Sequence, residues 1–136
     1  GKCEAAVADD ATGQLYIGEE TRGIWKLGAE PEDAAPGELI VEIGDHGIVG
    51  DIEGLALVPT GPQTGYLIMS DQGANRFHVF RREGAHDHLG SFRVQSAEDS
   101  DGIDAVPVPL GDRFPQGLFA CHSAASSPCP LLLVSW

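Results

Sequence analysis

The chain has 136 residues, a usual length for one domain, and its 21 acidic residues against 8 basic ones give a net charge of −13. So acidic a chain argues against nucleic acid as a partner, because no basic stripe is present to meet the phosphates. No run of about eighteen apolar residues occurs, so the sequence predicts no membrane-spanning segment.

Short apolar runs separated by turn residues extend along the whole chain, which contains 18 glycines and 9 prolines. The runs are rich in Val, Ile, Leu, Tyr and Phe and show no sustained helical period, so they predict an all-β fold. The three cysteines, Cys3, Cys121 and Cys129, lack metal-ligand spacing and leave the redox compartment open.

An acidic residue placed just before a short apolar strand recurs along the chain. The three copies occupy residues 3–8, 52–57 and 103–108. Their acids, Glu4, Glu53 and Asp104, are about fifty residues apart. This spacing is typical of a repeat protein whose units each form one small sheet.

Each copy is followed by further predicted strands. Second strands are predicted at 13–18, 65–70 and 117–121, third strands at 23–27 and 77–81, and fourth strands at 39–43 and 89–94. Four antiparallel strands in about fifty residues are the pattern of a propeller blade, so the chain is predicted to hold two blades and the first half of a third. A β-sandwich also gives evenly spaced strands and stays as the alternative.

The innermost strands of successive blades line a central channel, so Glu4, Glu53 and Asp104 are expected to converge there, with Asp51 and Asp101 nearby. Gathered carboxylates repel one another unless a cation or protons neutralise them. Calcium prefers such oxygen ligands, whereas the five histidines show no zinc pattern near the acids.

Other polar and aromatic residues are expected to have structural roles. Asp9 and Asp10 are predicted to be turn residues, and residues 86–88 a solvated turn. Tyr16, Trp25 and Phe77 are predicted to pack between sheets. Arg76, Arg81 and Arg82 are expected on an outer face.

Several motifs, in order, resemble those of β-propeller phytases. They are Glu4 with residues 7–10, residues 15–20, 24–26 and 29–31, residues 51–55, 65–67 and 72–73, and residues 101–104. The resemblance runs from about Lys2 to Phe119 and implies a six-bladed β-propeller, of which about two and a half blades are present here. It divides the chain into a partial propeller domain, residues 1–119, and a divergent tail, residues 120–136, which is expected to be non-native.

The resemblance implies calcium-dependent hydrolysis of the phosphate monoesters of phytate, myo-inositol hexakisphosphate. Residues that match calcium-ligating or neighbouring positions of the family are Glu4, Glu20, Asp51, Glu53, Gln72 and Asp101. Glu20 and Glu4 match catalytic positions, Glu20 being implicated in handling the attacking water. Secretion or a periplasmic location, and a monomer when complete, are also implied.

Two departures from the family pattern stand out, the divergent tail at residues 120–136 and a short segment before Asp101. The segment at residues 91–100 is shorter than is usual before Asp101, so an upstream calcium ligand is lost or replaced by Glu98 or Asp99.

Residues 1–136 alone are expected to have little activity, because the phosphate-binding Lys and Arg residues of the family lie mostly on other blades. A non-catalytic calcium-binding propeller and a lactonase-type hydrolase remain the alternative functions.

Overall fold

A computed structural model describes residues 1–33 and 35–136, which form eleven β-strands and two 3₁₀ turns. The strands are β1 (Cys3–Asp9), β2 (Gln14–Glu19), β3 (Gly23–Gly28), β4 (Glu38–Glu42), β5 (Ile52–Pro59), β6 (Gly65–Asp71), β7 (Arg76–Arg81), β8 (His88–Phe92), β9 (Ile103–Val106), β10 (Leu118–His122) and β11 (Leu131–Ser135). The 3₁₀ turns are Asp45–Gly47 and Gln72–Ala74. Across the described ranges, no helix has the length and apolarity needed to cross a membrane.

The strands form three antiparallel meanders in chain order. β1 to β4 make the first sheet, β5 to β8 the second, and β9 to β11 the third. The prediction of an all-β fold with four strands in each of the first two units is therefore confirmed. The third sheet has one strand more than expected, because β11 in the predicted tail pairs with β10. The domain boundary at residue 119 stays a prediction, although β10 runs across it.

The three sheets stack face to face around their first strands, with β5 contacting both β1 and β9. The middle sheet is therefore buried on both faces. Leu67 and Met69 pack toward the first sheet, whereas Ile68 packs toward the third. This two-sided burial explains the unbroken apolar run in β6, since a strand with one wet face would alternate.

The predicted packing of aromatic residues between the sheets is found for two of the three. Tyr16 and Phe77 are buried, one in each core. Phe77 also stacks edge-on against Phe119 of the third sheet, with ring centroids 5.1 Å apart. Trp25 is only partly buried, and its indole Nε1 donates a 2.7 Å hydrogen bond to Glu19.

Glycine at position 54 allows the third sheet to approach β5 closely. A Cβ at Gly54 would lie 2.5 Å from the backbone oxygen of Asp101 and 3.0 Å from Ile103 Cγ1. The first contact is with backbone, which cannot rotate away as a side chain could. Gly54 therefore determines how near the segment that carries Asp101 lies to the second sheet.

A buried ion pair joins the first two sheets at the end opposite the start of β1. Arg82 donates through Nε and Nη2 to the carboxylate of Asp9, and Nη1 donates to the carbonyls of Gly61 and Thr64. Both side chains are almost fully buried. Asp9 does begin the predicted turn, since its backbone oxygen accepts a 3.2 Å hydrogen bond from Thr12 N, but its carboxylate is buried. The prediction of an outer face for Arg82 is wrong, because each residue provides the counter-charge that the other needs.

The predicted solvated turn at residues 86–88 is also partly wrong. His86 is buried and meets the ring of Tyr16 edge-on at 5.8 Å, whereas Asp87 is exposed. Burial lowers the pKa of the His86 imidazole. His86 thus packs as a neutral ring between the sheets.

Replacing Arg82 by Met should lower the free energy of unfolding at pH 7 by about 3–5 kcal/mol, because Asp9 would stay buried without a counter-charge. Urea unfolding of the chain measures this. The double variant Asp9→Leu/Arg82→Met should recover part of the loss, since no lone charge remains. An equal or larger loss in the double variant would contradict this account of the pair.

The cost of Arg82→Met should shrink as the pH falls. Burial alone would raise the pKa of Asp9, but hydrogen bonds from Arg82 and Thr12 bring it below its ordinary value. The pair therefore stabilises the fold above the unfolded pKa of about 3.9 and loses that contribution as the pH falls through the lower folded pKa. A cost that stays constant between pH 7 and pH 3 would contradict the assignment.

Replacing Gly54 by Ala should destabilise the chain by about 1–3 kcal/mol through overpacking against the backbone of Asp101. Gly102→Ala is the matched control, because a Cβ at Gly102 meets nothing within 4 Å. Urea unfolding should place this control within about 0.5 kcal/mol of the unaltered chain. Equal stability of the two variants would show that Gly54 does not set the approach of the sheets.

Candidate metal centre

An open cleft of about 630 Å³ lies where β1 and β5 begin and where β2 and β6 end. Its lining residues are Lys2, Glu4, Glu20, Asp51, Glu53, Gln72, Asp101 and Gly102. All six residues predicted from the sequence as metal ligands are in this set. The structure therefore brings them together in space, while their roles stay predictions.

Glu4 and Glu53 enter the cleft because each is the extra residue of a β-bulge. In the first sheet, Cys3 pairs with Glu19 and Ala5 with Gly18, so Glu4 has no partner across the strand pair. The second sheet repeats this irregularity at Glu53. A bulge re-aims one side chain out of the regular alternation, which accounts for the shared direction of these two carboxylates.

Asp104 does not join them, and the expectation that it would converge with Glu4 and Glu53 is wrong. β9 has no bulge, and Asp104 pairs regularly with Ala120. Its side chain is exposed and accepts a 2.8 Å hydrogen bond from the backbone nitrogen of Ala105. The third sheet contributes Asp101 to the cleft instead, from the loop before β9.

A series of backbone hydrogen bonds connects the residues of the cleft. Glu20 N donates to Lys2 O at 3.0 Å, Asp51 N donates to Glu20 O at 3.0 Å, and Gln72 N donates to Asp51 O at 3.1 Å. Asp51 takes part with a left-handed φ of 55°. Such a φ is uncommon for a residue other than glycine, and it is often found at functional sites.

Buried Asp71 holds the loop that carries Asp51. Its carboxylate accepts hydrogen bonds of 3.0 Å from the backbone nitrogens of Val49 and Gly50, and His78 Nε2 lies 3.3 Å away. Asp71 is fully buried and is not among the residues that line the cleft. From the sequence it was visible only as an acid ending a strand beside Gln72, and nothing there distinguished a buried support from a ligand.

Three carboxylates form the centre of the cleft. One oxygen from each of Glu4, Glu20 and Glu53 lies within 4.8 Å of the others. Burial, together with a hydrogen bond to Glu4, raises the pKa of Glu53 to about 7, and the same hydrogen bond lowers the pKa of Glu4. The two carboxylates therefore share a proton near neutral pH, as closely spaced like charges do.

Lys2, which sequence reasoning did not single out, is the cation beside these carboxylates. Its Nζ lies 2.9 Å from Glu4 Oε1 and 3.3 Å from Glu20 Oε1. These hydrogen bonds, that to Glu4 first, raise the pKa of Lys2 to about 12. The only sequence signal was its position two residues before Glu4.

Gln72 and Asp101 extend the centre toward the third sheet. Gln72 Nε2 donates a 2.8 Å hydrogen bond to Asp101 Oδ1. His122 of β10 has its Nδ1 3.2 Å from Asp101 Oδ2. His122 Nδ1 makes no hydrogen bond at this distance, so Asp101 is oriented by the hydrogen bond from Gln72, which follows the last residue of β6.

The donor set fits calcium. Three oxygens that lie within 4.8 Å of one another have a common centre no more than about 2.8 Å from each, so small side-chain adjustments would give the 2.3–2.6 Å typical of calcium. The eight described lining residues include neither histidine nor cysteine, the side chains that zinc prefers. Glu4, Glu20 and Glu53 would hold the ion, and Asp51, Gln72 and Asp101 offer further oxygens nearby.

Comparison with known proteins identifies the family of this chain. A family model described as Phytase matches residues 1–126. The 3-phytase of Bacillus subtilis (strain 168) is 38% identical over 126 residues, an alignment that covers 88% of this chain and 33% of that protein. The chain thus spans about a third of the length of this curated relative. It belongs to the phytase family, and its three sheets are partial and complete blades of a β-propeller.

Proposed function

We propose that this chain supplies the calcium-binding part of an enzyme that releases inorganic phosphate from phytate. The observation that carries the proposal is the convergence of Glu4, Glu20 and Glu53 in one open cleft of a phytase-family chain. The relative that is 38% identical is named a 3-phytase, which supports the same substrate.

The charge of the cleft supports a role for divalent cations. Five carboxylates and one lysine line it, so by itself it would repel a polyphosphate. Bound calcium would supply positive charge that draws phosphate oxygens and acidifies a neighbouring water. The substrate would then approach a site whose local electrostatic potential is positive instead of negative.

The side chains of the cleft have separate tasks in this proposal. Glu20, assisted by Glu4, orients the attacking water, and Glu20 accepts its proton as a general base within hydrogen-bond reach; the P–O bond to the inositol ring breaks, and the departing oxygen takes a proton from solvent. Glu53, held by its bulge, completes the central group of ligands. Gln72 positions Asp101, because its amide nitrogen donates to that carboxylate. No protein nucleophile is needed, since in-line attack by water at phosphorus depends on positioning and charge.

We also infer that residues 1–136 alone hydrolyse phytate poorly. Among the described residues that line the cleft, Lys2 is the single basic side chain. A highly charged phosphate ester requires several cationic groups around its oxygens. The remaining two thirds of a protein of the relative's length would have to supply them.

A hybrid enzyme tests the proposal most sharply. Residues 1–126 would replace the aligned segment of the Bacillus subtilis 3-phytase, and phosphate release from phytate would be measured with calcium and with a chelator. The hybrid should be active only with calcium. Glu20→Gln and Glu4→Gln should each lower kcat at least ~100-fold, because a general base typically contributes that much.

Asp104→Asn is the matched control, since this acid belongs to the same sequence repeat but lies outside the cleft. It should leave kcat within about twofold of the hybrid. A folded hybrid that binds calcium and releases no phosphate would favour a non-catalytic calcium module. Hydrolysis of a lactone instead of phytate would favour the lactonase alternative.

A further inference from the structure

Lys2 occupies the place of a counter-ion within the carboxylate group. Its Nζ contacts both Glu4 and Glu20, two of the three side chains whose oxygens fit around one ion. The side chain is nevertheless 60% exposed, so nothing else confines the ammonium there. The lysine ammonium is a single charge on a flexible side chain, so it binds carboxylates weakly. A divalent cation can displace it from them.

The backbone of Lys2 is held independently of its side chain. Lys2 O accepts the hydrogen bond from Glu20 N at 3.0 Å, which extends the pairing of β1 with β2. Loss of the two ion pairs would therefore release the ammonium without moving the residue. The freed group would remain tethered at the rim of the cleft, within one side-chain length of the central carboxylates.

We propose that Lys2 is a positioning residue with two alternating partners. Without a divalent cation its ammonium neutralises Glu4 and Glu20. When calcium takes those carboxylates, the displaced ammonium turns to an oxygen of the phosphoryl group that enters the cleft. This inference rests on the proposed function, because it needs calcium at the carboxylate group and a phosphate ester as substrate.

The exchange follows from charge balance. A calcium ion and an ammonium cannot both lie against the same two carboxylates without repelling each other. The phosphate ester brings negative charge to the same place, so the ammonium finds a new partner at the moment it loses the old ones. Lysine suits this role, since it binds phosphate as a point charge and needs no fixed geometry.

Calcium titration of the 136-residue chain by calorimetry tests the first half. Lys2→Gln keeps polar contacts to the carboxylates but removes the competing charge, so it should bind calcium about 3–10-fold more tightly than the unaltered chain. Arg113→Gln is the matched control, because it removes one positive charge from the β9–β10 connection, at the other end of the strands. Its calcium affinity should equal that of the unaltered chain.

Titration with methyl phosphate at saturating calcium, followed by ³¹P NMR, tests the second half. Lys2→Gln should bind this monoester about 2–5-fold more weakly than either the unaltered chain or Arg113→Gln. Weaker or unchanged calcium binding by Lys2→Gln would overturn this inference and leave the proposed function intact. Tighter calcium binding with unchanged methyl phosphate binding would overturn the contact with the phosphoryl group. Absence of calcium binding in all three proteins would overturn the proposed function as well.

Discussion

Three backbone hydrogen bonds, from Glu20 to Lys2, from Asp51 to Glu20 and from Gln72 to Asp51, run in series beneath the cleft. They connect the start of β1, the end of β2, the loop before β5 and the end of β6, so they set the spacing of the site across two sheets. Asp51 joins this series with a left-handed φ, and buried Asp71 holds the loop that precedes it. The side-chain geometry of the centre depends on this backbone.

Electrostatic repulsion between the carboxylates opposes the close spacing that the backbone imposes on them. Glu4, Glu20 and Glu53 are held closer together than free carboxylates would lie, and this proximity contributes to the raised pKa of Glu53. The ammonium of Lys2 relieves part of the repulsion. Apolar burial between the sheets, on both faces of the middle sheet, stabilises the fold against this repulsion. Carboxylates gathered in this way are the oxygen ligands that calcium prefers.

The period of the repeat predicted most of the fold, because alternating apolar strands and Gly-rich turns are local signals. Together with the family motifs, the repeat also predicted the five acids and the one amide that share the cleft. It failed for Asp104, since a β-bulge depends on pairing register, and β9 lacks the bulge found at Glu4 and Glu53. It failed for the pairing of Asp9 with Arg82 because a buried ion pair between residues 73 positions apart leaves no local pattern.

Amide hydrogen exchange of the chain with and without calcium tests the central claim most directly. If the three backbone hydrogen bonds hold the metal centre together, they should break only in one cooperative opening of the site. Calcium should then slow exchange at the amides of Glu20, Asp51 and Gln72 together, by about tenfold or more. Amides of β3 that face β4 should change little. Calcium binding that leaves these three amides unchanged would contradict the account.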